Sequence, residues 1–245
     1  MKKLILALLT LTLLFAALSS CNLDRKLDGV ELKFKQKIDV ANELSFSAYL
    51  KTESNGQTNE LNVECYKSAG EYAYEFASPN NSSVRYRRLY GDNKLYEFVE
   101  TEGQIAGTYH ITDGVSIEST ENFLRQIEKN IMLATYATLI LDGKKETLND
   151  VEVYRYEITV DGNTYSLWYD NENLVKIAAV INSTNESGEV STEKYEALFT
   201  NYKFDEVNKT PFERPGALYT ESPVAFESWM GILGDFSKMS ANWLK

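Results

Sequence analysis

Val153-Tyr154-Arg155-Tyr156-Glu157-Ile158-Thr159-Val160 is followed by Asp161-Gly162-Asn163 and then by Thr164-Tyr165-Ser166-Leu167-Trp168-Tyr169-Asp170. Side chains of an extended chain point alternately to opposite faces, so alternation with a period of two marks a half-buried strand. In the first run Tyr154, Tyr156, Ile158 and Val160 share one side, and Arg155, Glu157 and Thr159 the other. In the second, Tyr165, Leu167 and Tyr169 alternate with Ser166 and Trp168. The tripeptide between them supplies residues that accept positive φ, so the stretch reads as a β-hairpin with one apolar face.

The same signature extends outward from about Val30 to Phe204. It gives about eleven candidate strands: 30–38, 44–53, 59–67, 71–77, 84–90, 94–99, 105–111, 151–160, 163–170, 174–182 and 191–204. Ser54-Asn55-Gly56, Gly91-Asp92-Asn93 and Asp170-Asn171-Glu172-Asn173 supply further turns. The apolar phase is continuous: Leu44, Phe46, Ala48 and Leu50, then Leu61, Val63 and Cys65, then Tyr72, Tyr74 and Phe76. Sixteen tyrosines suit a sheet that buries the ring and leaves the hydroxyl wet.

Two segments carry a helical period instead. From Ser119-Thr120 onward, Phe123, Leu124, Ile127, Ile131 and Ala134 fall on one face. The second half, Ile131 to Leu141 with Leu133 and Ile140, is apolar nearly all round and calls for cover on more than one side. Ser222-Pro223 reads as the start of another helix, with Phe226, Trp229, Leu233, Phe236 and Trp243 at helical spacing and Gly231 and Gly234 weakening it.

The amino terminus is of a different kind. Met1-Lys2-Lys3 precedes an apolar run from Leu4 to Leu18, which is shorter than the ~20 residues that span a bilayer and ends in small residues, as an export signal does. Leu18-Ser19-Ser20-Cys21 resembles the lipobox of bacterial lipoproteins. That resemblance implies cleavage before Cys21, a diacylglycerol thioether on its sulfur, and acylation of the new amine. Two or more acyl chains give stable anchoring. The expected organisation is a signal peptide over 1–20, a lipidated tether over 21–29, a β domain over 30–215 and a C-terminal amphipathic helical segment over 216–245.

Composition removes several chemistries. A net charge of −11 argues against a nucleic-acid surface. With His110 as its single histidine the chain has no His pair for zinc, and any Ser-His or Cys-His arrangement would have to use that residue. His110 lies at a strand end and reads as a surface or hydrogen-bonded residue rather than a general base. Cys65 is in phase with Leu61 and Val63 and reads as a small hydrophobe. Asp170 and Glu172 read as a hairpin turn, because the calcium-loop glycine is missing. Arg85, Arg87 and Arg88 form the one basic cluster. The favoured reading is a solvated or salt-bridged strand face; the alternative has Arg88 reaching the apolar side toward a lid or a ligand head group.

The hairpin from Val153 to Asp170, its continuation through Leu174-Val175-Lys176-Ile177, the run Phe199-Thr200-Asn201-Tyr202, and Pro211 and Pro215 together resemble the carboxy-terminal half of the lipoprotein-carrier (LolA-like) superfamily. The resemblance implies a mainly β fold: an antiparallel half-open β-barrel whose helices plug an apolar cavity. It departs from the soluble carriers at Cys21, since those are not lipidated, and in lacking the amphipathic helix that often opens the domain, since residues 22–43 read as charged and mostly strand-like.

The expectation for function is a membrane-anchored, non-enzymatic cell-envelope lipoprotein that needs neither cofactor nor metal. It would bind lipid or lipoprotein acyl chains in a concave cavity lined by Phe46, Val63, Tyr74, Tyr156 and Ile158 and covered by Leu133 and Ile140. Its anchor would lie on the outer side of the cytoplasmic membrane or in the outer membrane. A packed-core module that docks another envelope protein is the alternative, and a carboxylate hydrolase a distant third.

Overall fold

Positive φ at paired turn residues sets the architecture. Asn55-Gly56, Ala69-Gly70, Asp92-Asn93 and Asn149-Asp150 all take left-handed backbone. Two such residues in succession make the two-residue hairpin whose twist matches that of the strands it joins. The computed structural model describes residues 30–79, 81–101, 108–115, 143–160, 162–184, 188 and 190–222. One helix, α1 (Val30–Val40), precedes β1 (Glu43–Ser54), β2 (Gln57–Ser68), β3 (Glu71–Ser78), β4 (Asn81–Gly91), β5 (Lys94–Thr101) and β6 (Thr108–Asp113). A second series follows as β7 (Lys144–Leu148), β8 (Val151–Val160), β9 (Asn163–Tyr169), β10 (Leu174–Thr184) and β11 (Val190–Phe204), with β12 (Thr220–Glu221) at the end.

These twelve strands form one open sheet in the order β12-β6-β5-β4-β3-β2-β1-β11-β10-β9-β8-β7. It consists of two meanders joined where β1 pairs with β11, so the fold is mainly β and half-open, as expected. Every pairing is antiparallel except β12 on β6, which is parallel. Two irregularities bend the sheet near its seam. Between Ser45 and Ser47 the register against β11 shifts, with Asn201 at positive φ, and between Leu174 and Lys176 β10 bulges against β9.

The first expected strand, 30–38, is instead helix α1, and here the sequence reading is corrected. Val30, Phe34, Ile38 and Ala41 recur at helical spacing and pack into the inner core, and this 3.6 period prevails over the alternation of Val30, Leu32 and Phe34. The Phe34 ring meets Tyr169 and Tyr202 edge-on at 6.3 and 5.2 Å, which seats α1 over the joint between the meanders. An opening helix, expected to be missing, is therefore present. Two strands also escaped the reading, β7 and β12.

The sheet has two apolar layers. The inner one runs from β1 through β5 and on to β9–β11. The outer one is smaller: Ala73, Leu89, Tyr96 and Phe98, covered by Phe212 and Tyr219 from the segment that follows β11. That segment is pinned by two arginines. Arg87, buried, donates to the carbonyls of Thr210, Pro211 and Glu213 at 3.3–3.5 Å, and its guanidinium lies 4.1 Å over the Phe98 ring. Arg214 binds Glu71 and, at 2.7 Å, Asp92. The paired ends of the Glu71 and Arg214 side chains lie against Gly91, where a Cβ would push them aside. The expected helices over 119–141 and after Ser222, like the leader and Cys21, lie outside the described residues.

Candidate functional site

Register converts the alternation into rows across the sheet. On the inner face one row is Phe46, Cys65, Tyr74, Arg88, Glu97 and His110, from β1 to β6. The next is Ala48, Val63, Phe76, Tyr86, Val99 and Thr108. Aromatic rings tile this surface: Phe76 stacks on Tyr86 at 5.5 Å, Tyr74 meets Tyr90 edge-on at 6.1 Å, and Phe46 meets Phe199 at 5.9 Å. Across the seam the same face continues through Phe199, Ala197, Ile177, Leu167, Tyr169 and Tyr156.

Of the residues expected to line a cavity, Phe46, Val63 and Tyr74 come together on this face with only 2%, 0% and 1% of their surface exposed. Tyr156 is half-buried and packs edge-on against Tyr169 at 6.1 Å. Ile158 stands opposite Tyr165 in the β8–β9 register. Leu133 and Ile140 lie outside the described residues. Where β8 and β9 run away from α1 the inner face opens, and Tyr154 and Tyr165 are 37% and 38% exposed.

Toward β6 the inner face changes character. Arg88 Nε donates to the Tyr86 hydroxyl at 2.5 Å and to Glu97 at 3.2 Å, its Nη2 lies 3.1 Å from the same carboxylate, and the Tyr86 hydroxyl donates to Glu97 as well. Arg88 and Glu97 side chains are 17% and 12% exposed. Burial pushes the Tyr86 hydroxyl well above its ordinary pKa, which keeps it protonated as a donor. His110 is half-buried opposite Glu97, with Thr112 Oγ1 3.5 Å from its Nε2. The favoured reading of the arginine cluster as solvated or salt-bridged holds for its pairing, with Arg87 on Glu100 and Arg88 on Glu97. It is corrected for exposure, since Arg87 is buried and Arg88 half-buried rather than solvated. Arg85 alone is exposed; Arg87 is sealed under the C-terminal segment on the outer face, and Arg88 is ion-paired on the inner face. The sequence reading missed Glu97, although its phase with Leu95 and Val99 already put a carboxylate on an apolar face.

Cys65 is fully buried, and burial raises its thiol pKa well above the ordinary value, so it stays a protonated thiol. Asp170 Oδ1 accepts the backbone N–H groups of Glu172 and Asn173 at 2.7 and 2.6 Å, an Asx turn at the hairpin. No group of three or more His, Cys, Asp or Glu among the described residues is placed to hold a metal ion. No helix among them is long and apolar enough to cross a membrane.

Two clefts lined by described residues open beside strand positions of the outer face. One, of about 680 Å3, is of mixed character, between Ser45, Ser47, Glu64 and Tyr66 on the sheet and Glu206, Val207 and Asn208 beyond it. The other, of about 510 Å3, follows Leu148, Val151, Val153, Val175 and Leu198. Phe46 borders the first cleft; Val63, Tyr74 and Tyr156 border neither.

No protein-family model matches the chain, and no curated protein matches it either. Solved structures do. The chain is similar to a DUF1329 family protein from Desulfovibrio piger at 10% identity and a TM-score of 0.33, over 78% of this chain and 97% of that one. It is similar to a LolA superfamily protein from Nitrosomonas europaea at 10% identity and a TM-score of 0.32, over 76% and 96%. It is also similar to the Mycobacterium tuberculosis lipoprotein LppX at 10% identity and a TM-score of 0.37, over 73% and 97%.

Proposed function

We propose that this chain is a non-enzymatic, lipid-anchored protein of the bacterial cell envelope that binds acyl chains of a lipid or lipoprotein against the inner face of its sheet. One observation carries the reading: the inner face is an apolar, aromatic surface that passes without a break across the seam between the meanders, on a sheet that does not close. A concave apolar surface with few polar groups is what an acyl chain needs, since each buried CH2 contributes ~0.8 kcal/mol. Phe46, Val63 and Tyr74 form its floor, Tyr156 and Ile158 its continuation, and Tyr154 and Tyr165 the stretch that stays open. The apolar segment with Leu133 and Ile140 supplies its cover. Cys21 carries the anchor.

The test is saturable uptake of a fluorescent fatty acid by the purified protein, with displacement by phospholipid. Leu133→Glu should lower uptake by placing a charge in the cover. Unchanged uptake and unchanged melting temperature in Leu133→Glu would remove the cover from the proposal, and no saturable uptake by the wild type would overturn acyl binding. The anchor is tested separately by metabolic labelling with a palmitate analogue. Label is expected on the wild type and lost in Cys21→Ser; label that persists there overturns the assignment.

A further inference from the structure

We infer that Arg88 and Glu97, with Tyr86 and His110 beside them, form a head-group site selective for zwitterionic amphiphiles at the polar end of the inner face. The inference rests on the acyl-binding reading above and names the ligand class. The inner face is ordered across its strands: Phe46, Cys65 and Tyr74 on β1–β3 are apolar or aromatic, and the same row continues as Arg88, Glu97 and His110 on β4–β6. That order matches a molecule with a hydrocarbon tail and a charged end.

A buried ion pair is a poor device for stability, because desolvating two charges offsets most of their attraction, and apolar residues of similar volume do as well or better. Here the pair shares the inner face with the buried Tyr74, Phe76, Tyr90, Leu95 and Val99, so packing alone would favour an apolar substitute. The pair also lies next to the sheet edge. Among the described residues β12 pairs β6 at Thr108 and Tyr109, and His110 to Asp113 continue β6 as the row beside β5.

The charges select the ligand. Arg88 and Glu97 cancel, so a simple anion that gains Arg88 meets the Glu97 carboxylate within 3.1 Å of it. A head group carrying a phosphate and an ammonium a few bonds apart answers both, the phosphate taking guanidinium N–H donors and the ammonium donating to the carboxylate. A neutral head group leaves both charges buried without gain.

The test uses the full-length protein and displacement of a fluorescent fatty acid by soluble short-chain lipids. Dihexanoyl-phosphatidylethanolamine should displace it at about one tenth the concentration needed for dihexanoyl-phosphatidylglycerol or dihexanoylglycerol, the factor expected for one charge-assisted contact. Glycerophosphoethanolamine, which has the head group and no tails, should not compete; if it competes as well, the site takes free zwitterions and the amphiphile assignment fails. The double variant Arg88→Met/Glu97→Leu keeps the volume and should fold, bind the fatty acid and lose the preference. Glu97→Gln should turn the preference toward phosphatidylglycerol. Equal displacement by all three lipids in the wild type overturns the head-group site while leaving acyl binding intact. Absence of fatty-acid binding overturns the acyl reading and this inference with it.

Discussion

The two meanders of the sheet are built on the same alternation but are buried differently. In β1–β6 the outer face is covered by the segment from Asp205 to Ser222, which Arg87 and Arg214 hold in place, and the inner face joins the core that includes α1 and carries the partly exposed Arg88–Glu97 pair on β4 and β5. In β7–β11 the outer face carries ion pairs. Arg155 binds Glu146 at 3.0 Å and Glu157 at 2.7 Å, Lys176 binds Glu196 at 2.5 Å, and Trp168 lies beneath both cations. Its inner face is open at Tyr154 and Tyr165. The first meander is made for stability and the second leaves apolar surface accessible. An acyl chain needs apolar area that packing has not already consumed, and the second meander supplies it at Tyr154 and Tyr165.

The comparison breaks most readily at α1. Phe34 is fully buried at the joint of the meanders, and Phe34→Ala removes its contacts with both Tyr169 and Tyr202. The expected loss is about 3–5 kcal/mol of unfolding free energy, measured by urea denaturation. A loss below about 1 kcal/mol would mean that α1 is an appendage and that the meanders hold together without it.

Arg87 comes next. Arg87→Met keeps part of the stem over Phe98 and deletes the donors to three carbonyls, with an expected loss of about 1.5–3 kcal/mol. Limited proteolysis should then cut between Asp205 and Ser222 before it cuts any strand. The corresponding change on the second meander, Arg155→Met, faces more solvent and should cost under about 1 kcal/mol. Equal losses would erase the distinction between a covered and a solvated outer face.

How legible this division was in the sequence depends on the range of each interaction. Alternation is local, and it located β1 to β6 and β8 to β11 and the face holding Phe46, Val63, Tyr74 and Tyr156. Helix α1 was hidden because Val30, Leu32 and Phe34 satisfy a period of two while Phe34, Ile38 and Ala41 satisfy 3.6, and only the core they meet decides between them. Strand β7 is Lys-Lys-Glu-Thr-Leu, whose charges suit a sheet edge and give no apolar phase. Strand β12 has two residues and exists through its partner. Burial of Arg87 depends on carbonyls more than a hundred residues away, and the row that joins Arg88, Glu97 and His110 is set by two hairpin registers.

A subtler difference lies in the outer face of the first meander, where Glu64 and Glu75 stand directly opposite one another. Burial raises the Glu75 pKa, helped by Glu100 and Glu64 and opposed by Arg87 and Arg85. A carboxyl raised in the folded state contributes stability that is full below its unfolded pKa and is lost as pH rises through its folded pKa. Glu75→Gln removes that loss. Its melting temperature should approach the wild-type value near pH 4 and exceed it by a growing margin toward pH 7. A margin that shrinks with rising pH would mean that Arg87 dominates and that Glu75 is held ionised.

The smallest effect on stability should accompany the clearest effect on binding. Tyr165 is more than a third exposed on the inner face of β9, opposite Ile158 and Ala179, so its removal leaves no cavity to be filled. Tyr165→Ser should therefore change unfolding free energy by no more than about 0.5 kcal/mol. If the open part of the inner face receives the acyl chain, the same change removes apolar contact from the ligand and should weaken fluorescent fatty-acid uptake severalfold. Val63→Trp on the covered meander should do the reverse, costing about 1–3 kcal/mol through overpacking. Its uptake should change less than that of Tyr165→Ser, because the bulk is added beneath the surface that the chain would touch. Wild-type uptake in Tyr165→Ser together with lost uptake in a folded Val63→Trp would move the ligand surface from the second meander to the first.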